Sequence, residues 1–258
     1  MLLQRWLPRP SARLRLLCLP PAGGSATLYR SWATRLPADV ELYAVEPPGH
    51  GSRYHEPAVT SMAELAGQVA TAAADLARRP LALFGHSMGA LLALEVGRLL
   101  RDTTGRPPAA LLVASIDAPE PSDADPVDLT SLPDSYWRPR MVELGALDSR
   151  TTGDPALMEM ALAMFRADLV VMSGYRPQRA EPLRCPVRVY AGATDPTVSE
   201  RGLTRWRREC PTDFQLSRLP GGHMFFRDDP TLLLARLAAD LDAGRLPAEL
   251  GAGRPVPY

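Results

Sequence analysis

A serine placed between two glycines is the residue in this sequence with the plainest chemical use. Residues 81–89 read L-A-L-F-G-H-S-M-G, so that Gly85 and Gly89 flank Ser87 at two positions on either side. Apolar residues precede the motif and a further apolar run, residues 90–100, follows it. This is the strand, sharp turn and helix of a nucleophile elbow. Small flanking residues let the strand and helix approach, and the helix N-terminus favours negative charge beside the serine. The pattern predicts a nucleophile.

A serine hydroxyl needs an adjacent base at neutral pH, and that base needs a third group to orient it. When the serine stands at such an elbow, the acid and then the histidine follow it along the chain. Of the four histidines, His50 and His55 precede Ser87. His86 is adjacent to the serine, so we expect its side chain to point away and pack beneath the turn. This leaves His223, in a glycine-containing loop after the last predicted strand, as the base.

Two aspartates are candidates for the acid. Asp195 ends an A-G-A-T-D loop after the strand predicted at residues 186–191, and Asp117 ends the strand predicted at residues 109–116. A glycine-containing loop after the penultimate strand is the commoner position for this acid. We therefore favour Asp195 and keep Asp117 as the alternative. The other interpretation of whichever residue is not the acid is an ordinary loop or helix-capping carboxylate.

Two backbone N–H groups are needed to stabilise the oxyanion that forms when a serine attacks a carbonyl carbon. One is expected from Met88, the residue after the nucleophile, and the other from the loop after the first strand. That loop reads P-P-A-G-G, and Pro20 and Pro21 have no N–H group. Ala22 is therefore the first possible donor in the loop.

Alternating strands and helices surround these residues in the sequence. Short apolar runs predict strands at residues 13–19, 40–45, 81–84, 109–116, 186–191 and 214–219. The helical periodicity between them predicts a mostly parallel central sheet with helices on both faces, which is the α/β class. Residues 1–258 are predicted to form one domain, with a loose tail at about 244–258, where glycine, proline and alanine are frequent.

The alternation is interrupted at about residues 118–180, which we predict to be a helical lid inserted over the strand ends. Five methionines in this insertion are candidates for an adaptable acyl channel, because unbranched thioethers accommodate varied shapes. They are Met141, Met158, Met160, Met164 and Met172. Plain packing between helices is the alternative for each of them.

The composition argues against several classes of protein. The 29 basic residues balance 29 acidic ones, which does not favour nucleic acid as a partner. We see no secretory signal and no apolar run of membrane-spanning length, so no membrane association and a cytoplasmic location are expected. Cys18, Cys185 and Cys210 have unrelated spacings, so neither a disulfide framework nor a metal site is predicted.

Seven segments, taken together and in order, resemble the type II thioesterases, the discrete editing hydrolases of polyketide synthases and nonribosomal peptide synthetases. The likeness covers roughly residues 16–241. The segments are L-P-P-A-G-G near residue 20, P-P-G-H-G-S-R-Y-H-E-P at 47–57, G-H-S-M-G at 85–89, F-R-A-D-L at 165–169, Y-R-P at 175–177, C-P-V-R-V-Y-A-G-A-T-D at 185–195 and L-P-G-G-H-M-F-F at 219–226.

This resemblance implies an α/β-hydrolase fold with Ser87, Asp195 and His223 as the catalytic triad and the amides of Ala22 and Met88 as the oxyanion hole. It also implies that the substrate is an acyl or peptidyl thioester on the phosphopantetheine arm of a carrier protein. The enzyme itself needs no metal or cofactor in this interpretation. A monomer that acts on carrier-protein domains is expected.

Three alternatives remain open at this point. Asp117 lies where the integrated, chain-terminating thioesterases carry their acid, which suggests product release instead of editing. A small-molecule carboxylesterase or lipase would use the same triad. A non-catalytic module that only binds carrier proteins is the third alternative, and the complete set of triad candidates argues against it.

Overall fold

A seven-stranded sheet forms the centre of the computed structural model, which describes residues 1–121 and 128–242. Its strands are β1 (Leu3–Gln4), β2 (Leu14–Leu19), β3 (Val40–Val45), β4 (Leu81–His86), β5 (Ala110–Ala114), β6 (Val187–Gly192) and β7 (Phe214–Leu219). Their spatial order is β1-β3-β2-β4-β5-β6-β7. Every neighbouring pair is parallel except β1 with β3. The predicted α/β class and mostly parallel sheet are confirmed.

Helices connect these strands. The α-helices are α1 (Met62–Ala73), α2 (Met88–Thr104), α3 (Asp134–Glu143), α4 (Ser149–Gly153), α5 (Pro155–Gly174), α6 (Glu200–Arg205) and α7 (Thr231–Asp240). Short 3₁₀ helices are Ala26–Thr34, Gly51–Arg53, Leu76–Arg78, Leu129–Ser131 and Trp206–Glu209.

Both faces of the sheet are covered by helices. Leu83 packs into a cluster that includes side chains of α1 and α2, whereas its neighbour Phe84 packs into a second cluster with Trp32 and Leu237. Successive side chains of a strand point to opposite faces. Because both faces are buried, the central strands are continuous apolar runs and not alternating ones.

Two local features differ from what the sequence predicts. The sequence predicts a helix at residues 204–210, whereas α6 begins at Glu200, because the side chain of Ser199 caps its N-terminus by accepting from the amide of Gly202. The antiparallel edge strand β1 was not predicted, since two residues give no period to detect.

The insertion between β5 and β6 contains α3, α4 and α5, and side chains of α3 and α5 form a small apolar cluster. Trp137 and Met141 of α3 pack there against Phe165 and Leu169 of α5. This cluster lies apart from the two clusters that flank the sheet. Residues 122–127 of the predicted insertion lie outside the described part of the chain, as does the predicted tail at 244–258.

Substitution of a glycine at the elbow should be costly, whereas substitution of an exposed glycine should not. A Cβ on Gly85 would lie 2.1 Å from the carbonyl oxygen of Gly89, so Gly85→Ala should lower the free energy of unfolding by about 3 kcal/mol. Gly67 lies in α1 with no atom within 4 Å of such a Cβ. Gly67→Ala should therefore raise the free energy of unfolding by about 1 kcal/mol. Urea unfolding followed by circular dichroism measures both, and equal effects would contradict this packing.

Candidate active site

Ser87 lies at the turn between β4 and α2 with a backbone conformation that L-residues rarely adopt, φ 53° and ψ −122°. Its amide donates to the carbonyl of Ala114 at 2.8 Å, which ties the turn to the end of β5. A Cβ on Gly89 would lie 2.2 Å from the carbonyl oxygen of Leu19, so the first turn of α2 passes directly against β2. Strain of this kind at a turn is characteristic of functional sites.

His223 lies in the loop after β7, and its ring contacts a carboxylate. The ring Nδ1 is 3.0 Å from Oδ2 of Asp195, in the loop after β6. The hydroxyl of Thr197 is 2.9 Å from the same Nδ1 and donates to Asp195 Oδ1 at 2.7 Å. Burial raises the pKa of Asp195, but hydrogen bonds from His223 and Thr197 outweigh it and hold that pKa well below its ordinary value. A charged acid therefore faces the imidazole.

The backbone of His223 is held as well as its ring. Its carbonyl oxygen accepts from His86 Nε2 at 2.8 Å and from the hydroxyl of Ser115 at 3.0 Å. Burial and the neighbouring His223 lower the pKa of His86 to about 3, so its ring is neutral and donates through Nε2. His86 is buried, as expected from the sequence, and it also anchors the loop that carries the candidate base.

Ser87 and His223 line the same cavity, which has a volume of about 510 Å³. Within the described residues no hydrogen bond joins the Ser87 hydroxyl to the His223 ring, whose bonded partners are Asp195 and Thr197. Nucleophile–base hydrogen bonds are often long before substrate binds and shorten in the complex. The two side chains therefore share one site without a hydrogen bond between them.

Asp117, the alternative acid, is directed elsewhere. Its two carboxylate oxygens accept from the amide of Ser199 at 2.9 Å and from the Ser199 hydroxyl at 2.8 Å. A Cβ on Gly202 would lie 1.9 Å from Asp117 Cγ, so this carboxylate packs directly against α6. Of the two candidates, Asp195 is the one that the structure brings to His223, and Asp117 holds the residue that caps α6.

The loop of residues 20–24 leaves one amide free. Pro20 and Pro21 have no N–H, the amide of Gly23 donates to Asp168 Oδ2 at 2.7 Å, and that of Gly24 donates to the Pro21 carbonyl at 2.9 Å. Ala22 lines the cavity, and its amide donates to no acceptor in the described part of the chain.

Met88, the other predicted oxyanion donor, is the first residue of α2 and directly follows Ser87. The first amides of a helix have no intrahelical acceptor. Both predicted amides are thus available as donors in the present geometry.

The five methionines divide into two groups. Met141, Met164 and Met172 line the cavity. Met158 and Met160 do not line this cavity: both precede Ala161, the first residue of α5 that does, and Met160 is 39% exposed. The N-terminal part of α5 therefore extends beyond the cavity wall.

Several residues at the site were not found from the sequence. Thr197 could have been, because its amide and hydroxyl both bond to the aspartate two positions earlier, as in an Asx-turn. Ser115 and a buried pair formed by His50 and Asp168 depend on contacts between distant segments. No local sequence pattern predicts such contacts.

Within residues 1–121 and 128–242, no cluster of three or more His, Cys, Asp or Glu side chains could hold a metal ion. In the same ranges, no helix combines the length and the apolar character needed to cross a membrane.

Comparison with known proteins gives a consistent family. Residues 14–241 match the family model described as a thioesterase domain. RedJ, a thioesterase from the prodiginine pathway of Streptomyces coelicolor, superposes with a TM-score of 0.82 and 36% identity, over 91% of this chain and 92% of RedJ. BorB, a type II thioesterase from the borrelidin cluster, gives 0.82 and 32%, over 93% of this chain and 98% of BorB.

A third relative is the AMB antimetabolite synthetase AmbE of Pseudomonas aeruginosa. It is 37% identical over 252 residues, which are 95% of this chain. The match spans only 12% of the length of AmbE.

The two aspartates should respond differently to the same substitution. Asp195→Asn should lower kcat by about 10⁴-fold, because the imidazole loses its orienting anion. Asp117→Asn changes a carboxylate that contacts α6 and not His223, so it should leave kcat nearly unchanged. Ester hydrolysis by folded, purified variants measures both, with circular dichroism as the check on folding. The reverse ranking would reassign the acid.

Proposed function

The chain belongs to the thioesterase domain family, and on this premise we propose that it is a serine hydrolase that releases acyl or peptidyl chains from carrier-protein thioesters. We propose further that it edits misprimed or stalled polyketide or nonribosomal peptide assembly lines. The observation that supports the chemistry most directly is the 3.0 Å contact between Asp195 and His223 in a site shared with Ser87.

The first half of the proposed reaction forms an acyl-enzyme. Ser87 Oγ attacks the thioester carbonyl carbon while the His223 ring takes the hydroxyl proton. The oxyanion accepts hydrogen bonds from the amides of Ala22 and Met88. When the tetrahedral intermediate collapses, the C–S bond breaks, and His223 gives its proton to the departing thiolate of phosphopantetheine.

The second half hydrolyses the acyl-enzyme. His223 takes a proton from water, the resulting nucleophile attacks the ester carbonyl, and the same two amides stabilise the second oxyanion. Ser87 leaves with the proton from His223, and the carboxylic acid is released. Asp195 keeps the imidazole oriented and stabilises its cationic form in both halves. His223 accepts and returns the proton in each step, so we propose that no metal or cofactor takes part.

The wall of the cavity supports an apolar acyl group as the cargo. Lid residues Trp137, Met141, Phe165 and Leu169 line the cavity. An alkyl chain that leaves water for such a surface gains roughly 25 cal/mol per Å² of buried apolar area. Binding energy of this kind could hold chains of different shape without specific hydrogen bonds.

The relatives support the editing role and its setting. RedJ and BorB are thioesterases of biosynthetic systems, and this chain aligns with nearly the whole of each. Carrier-protein domains are therefore the partners that we propose, and the cytoplasm is the proposed location. The match to a part of AmbE favours product release as the second candidate function, with the same residues.

A comparison of hydrolysis rates on a thioester and on an oxygen ester tests the proposal. The same acyl group is presented as a thioester on a holo carrier protein and as a p-nitrophenyl ester, and we expect the higher kcat/KM on the carrier protein. Ser87→Ala should lower kcat on both by about 10⁶-fold, because removing a triad nucleophile is that costly. Mass spectrometry of the released holo carrier gives the thioester rate.

Two results would count against the proposal. A marked preference for the oxygen ester would indicate a small-molecule esterase. Carrier binding without turnover of either substrate would indicate a binding module.

A further inference from the structure

A second imidazole–carboxylate pair lies buried beside the candidate active site. His50 is 1% exposed and Asp168 is 3% exposed, and His50 Nε2 lies 3.0 Å from Asp168 Oδ2. His50 comes from the loop after β3, whereas Asp168 is on α5 of the insertion. Neither residue lines the cavity, so neither is placed to touch a substrate.

The surroundings of His50 favour its doubly protonated form. The other ring nitrogen, Nδ1, lies 3.0 Å from the carbonyl oxygen of Pro48, so both ring nitrogens face oxygen acceptors. Only the cationic imidazole can donate to both. Burial lowers the pKa of His50, but the hydrogen bond and negative charge of Asp168 outweigh it and leave that pKa above its ordinary value. The geometry and the direction of the pKa shift therefore both favour a charged pair between His50 and Asp168.

The same oxygen of Asp168 also accepts the amide N–H of Gly23 at 2.7 Å. Gly23 follows Ala22, whose amide is the candidate oxyanion donor. The Gly23 hydrogen bond fixes the orientation of the peptide group between these two residues. The neighbouring peptide group, between Pro21 and Ala22, carries the Ala22 N–H. Peptide groups are planar, so only the φ and ψ angles of Ala22 lie between the two groups.

Helix α5 packs against the loop at this point through a second side chain. Gly23 has φ +72°, and a Cβ added to it would lie 3.2 Å from Cβ of Phe165. Phe165 precedes Asp168 by three positions, so both side chains lie on one face of α5. Phe165 also lines the cavity. Helix α5, which forms part of the cavity wall, thus holds the loop of residues 20–24 by one apolar contact and one hydrogen bond to a carboxylate.

The far end of the loop has a separate anchor. The amide of Ala26 donates to Glu46 Oε1 at 3.1 Å, and Glu46 directly follows β3. That end is therefore fixed to the sheet. The end that carries Ala22 is fixed through Gly23 to the inserted helix.

We propose that Asp168, with His50 as its charge partner, is a positioning residue that orients the Ala22 amide by holding the amide of Gly23. The oxyanion hole is then complete only while α5 is seated on the loop, which couples the lid to catalysis. This inference rests on the proposed function, because it assigns the Ala22 amide to the stabilisation of an oxyanion.

Substitution of Asp168 tests this coupling. Asp168→Ala removes the acceptor for Gly23 and should lower kcat by about 100-fold, the cost of displacing a catalytic group by about 1 Å. KM should stay within about threefold, since the interaction is made in the transition state. Asp168→Asn retains an oxygen acceptor without the charge, so it should recover part of the loss, with kcat about tenfold below that of the wild type.

A matched control is available on the same helix. Glu159 is an exposed carboxylate on α5 that pairs with Arg138 at the surface. Glu159→Gln removes one charge from the helix without touching the loop, and should leave kcat unchanged. All variants are assayed on whichever acyl ester or thioester the wild type hydrolyses.

An alkyl boronic acid gives a second measurement, because its adduct with serine carries a tetrahedral oxyanion. Its affinity should fall in Asp168→Ala and Asp168→Asn by the same factor as kcat/KM. A purely structural role would lower the melting temperature without this parallel loss.

The proposal is overturned if either folded Asp168 variant keeps wild-type kcat and boronate affinity, or if only KM changes. A wild-type protein that hydrolyses no ester or thioester would instead refute the proposed function.

Discussion

The contacts that hold His223 determine the rest of the site. Asp195 in the loop after β6 fixes its ring, while His86 at the end of β4 and Ser115 after β5 fix its carbonyl oxygen. Each such hydrogen bond contributes only about 1 kcal/mol of net stability. Their effect is orientation: the loop after β7 is tied to three other strand ends. Because His86 is adjacent to Ser87, the candidate base is tied to the strand that ends in the candidate nucleophile.

Two carboxylate–imidazole pairs in this protein use the same chemistry for different ends. The ring of His223 lines a cavity that a substrate can enter, so we propose that its far nitrogen takes a proton from a reacting group and later returns it. The ring of His50 has both nitrogens occupied and is buried, so it can only hold a charge in place. Access to the cavity, and not residue type, distinguishes the candidate general base from the buried imidazole.

Much of the site follows from local sequence because each part is a strand end with its own turn chemistry. Ser87, Asp195 and His223 were found from glycine-containing motifs and their order along the chain. The choice of Asp195 over Asp117 was left open, because both follow strands. In the structure, the carboxylate of Asp195 contacts the His223 ring, whereas the carboxylate of Asp117 accepts a hydrogen bond from Ser199.

Other parts depend on contacts that no short segment contains. The residues of the His50–Asp168 pair are 118 positions apart, and nothing in the sequence of either segment indicates that they meet. The methionines show the same limit. The methionine content of the insertion predicts an adaptable channel. Which methionines line the cavity depends on where α5 meets the cavity wall: Met164 lines the cavity and Met160 does not. Tertiary packing, not periodicity, fixes such details.

The most direct measurement is labelling of Ser87 by a fluorophosphonate, followed by mass spectrometry of the modified peptide. The account predicts one phosphonyl group, carried by Ser87, and a labelling rate that falls by about 10²–10⁴-fold in His223→Ala, since the general base is lost. A label on another residue, or equal labelling rates in the wild type and His223→Ala, would contradict it.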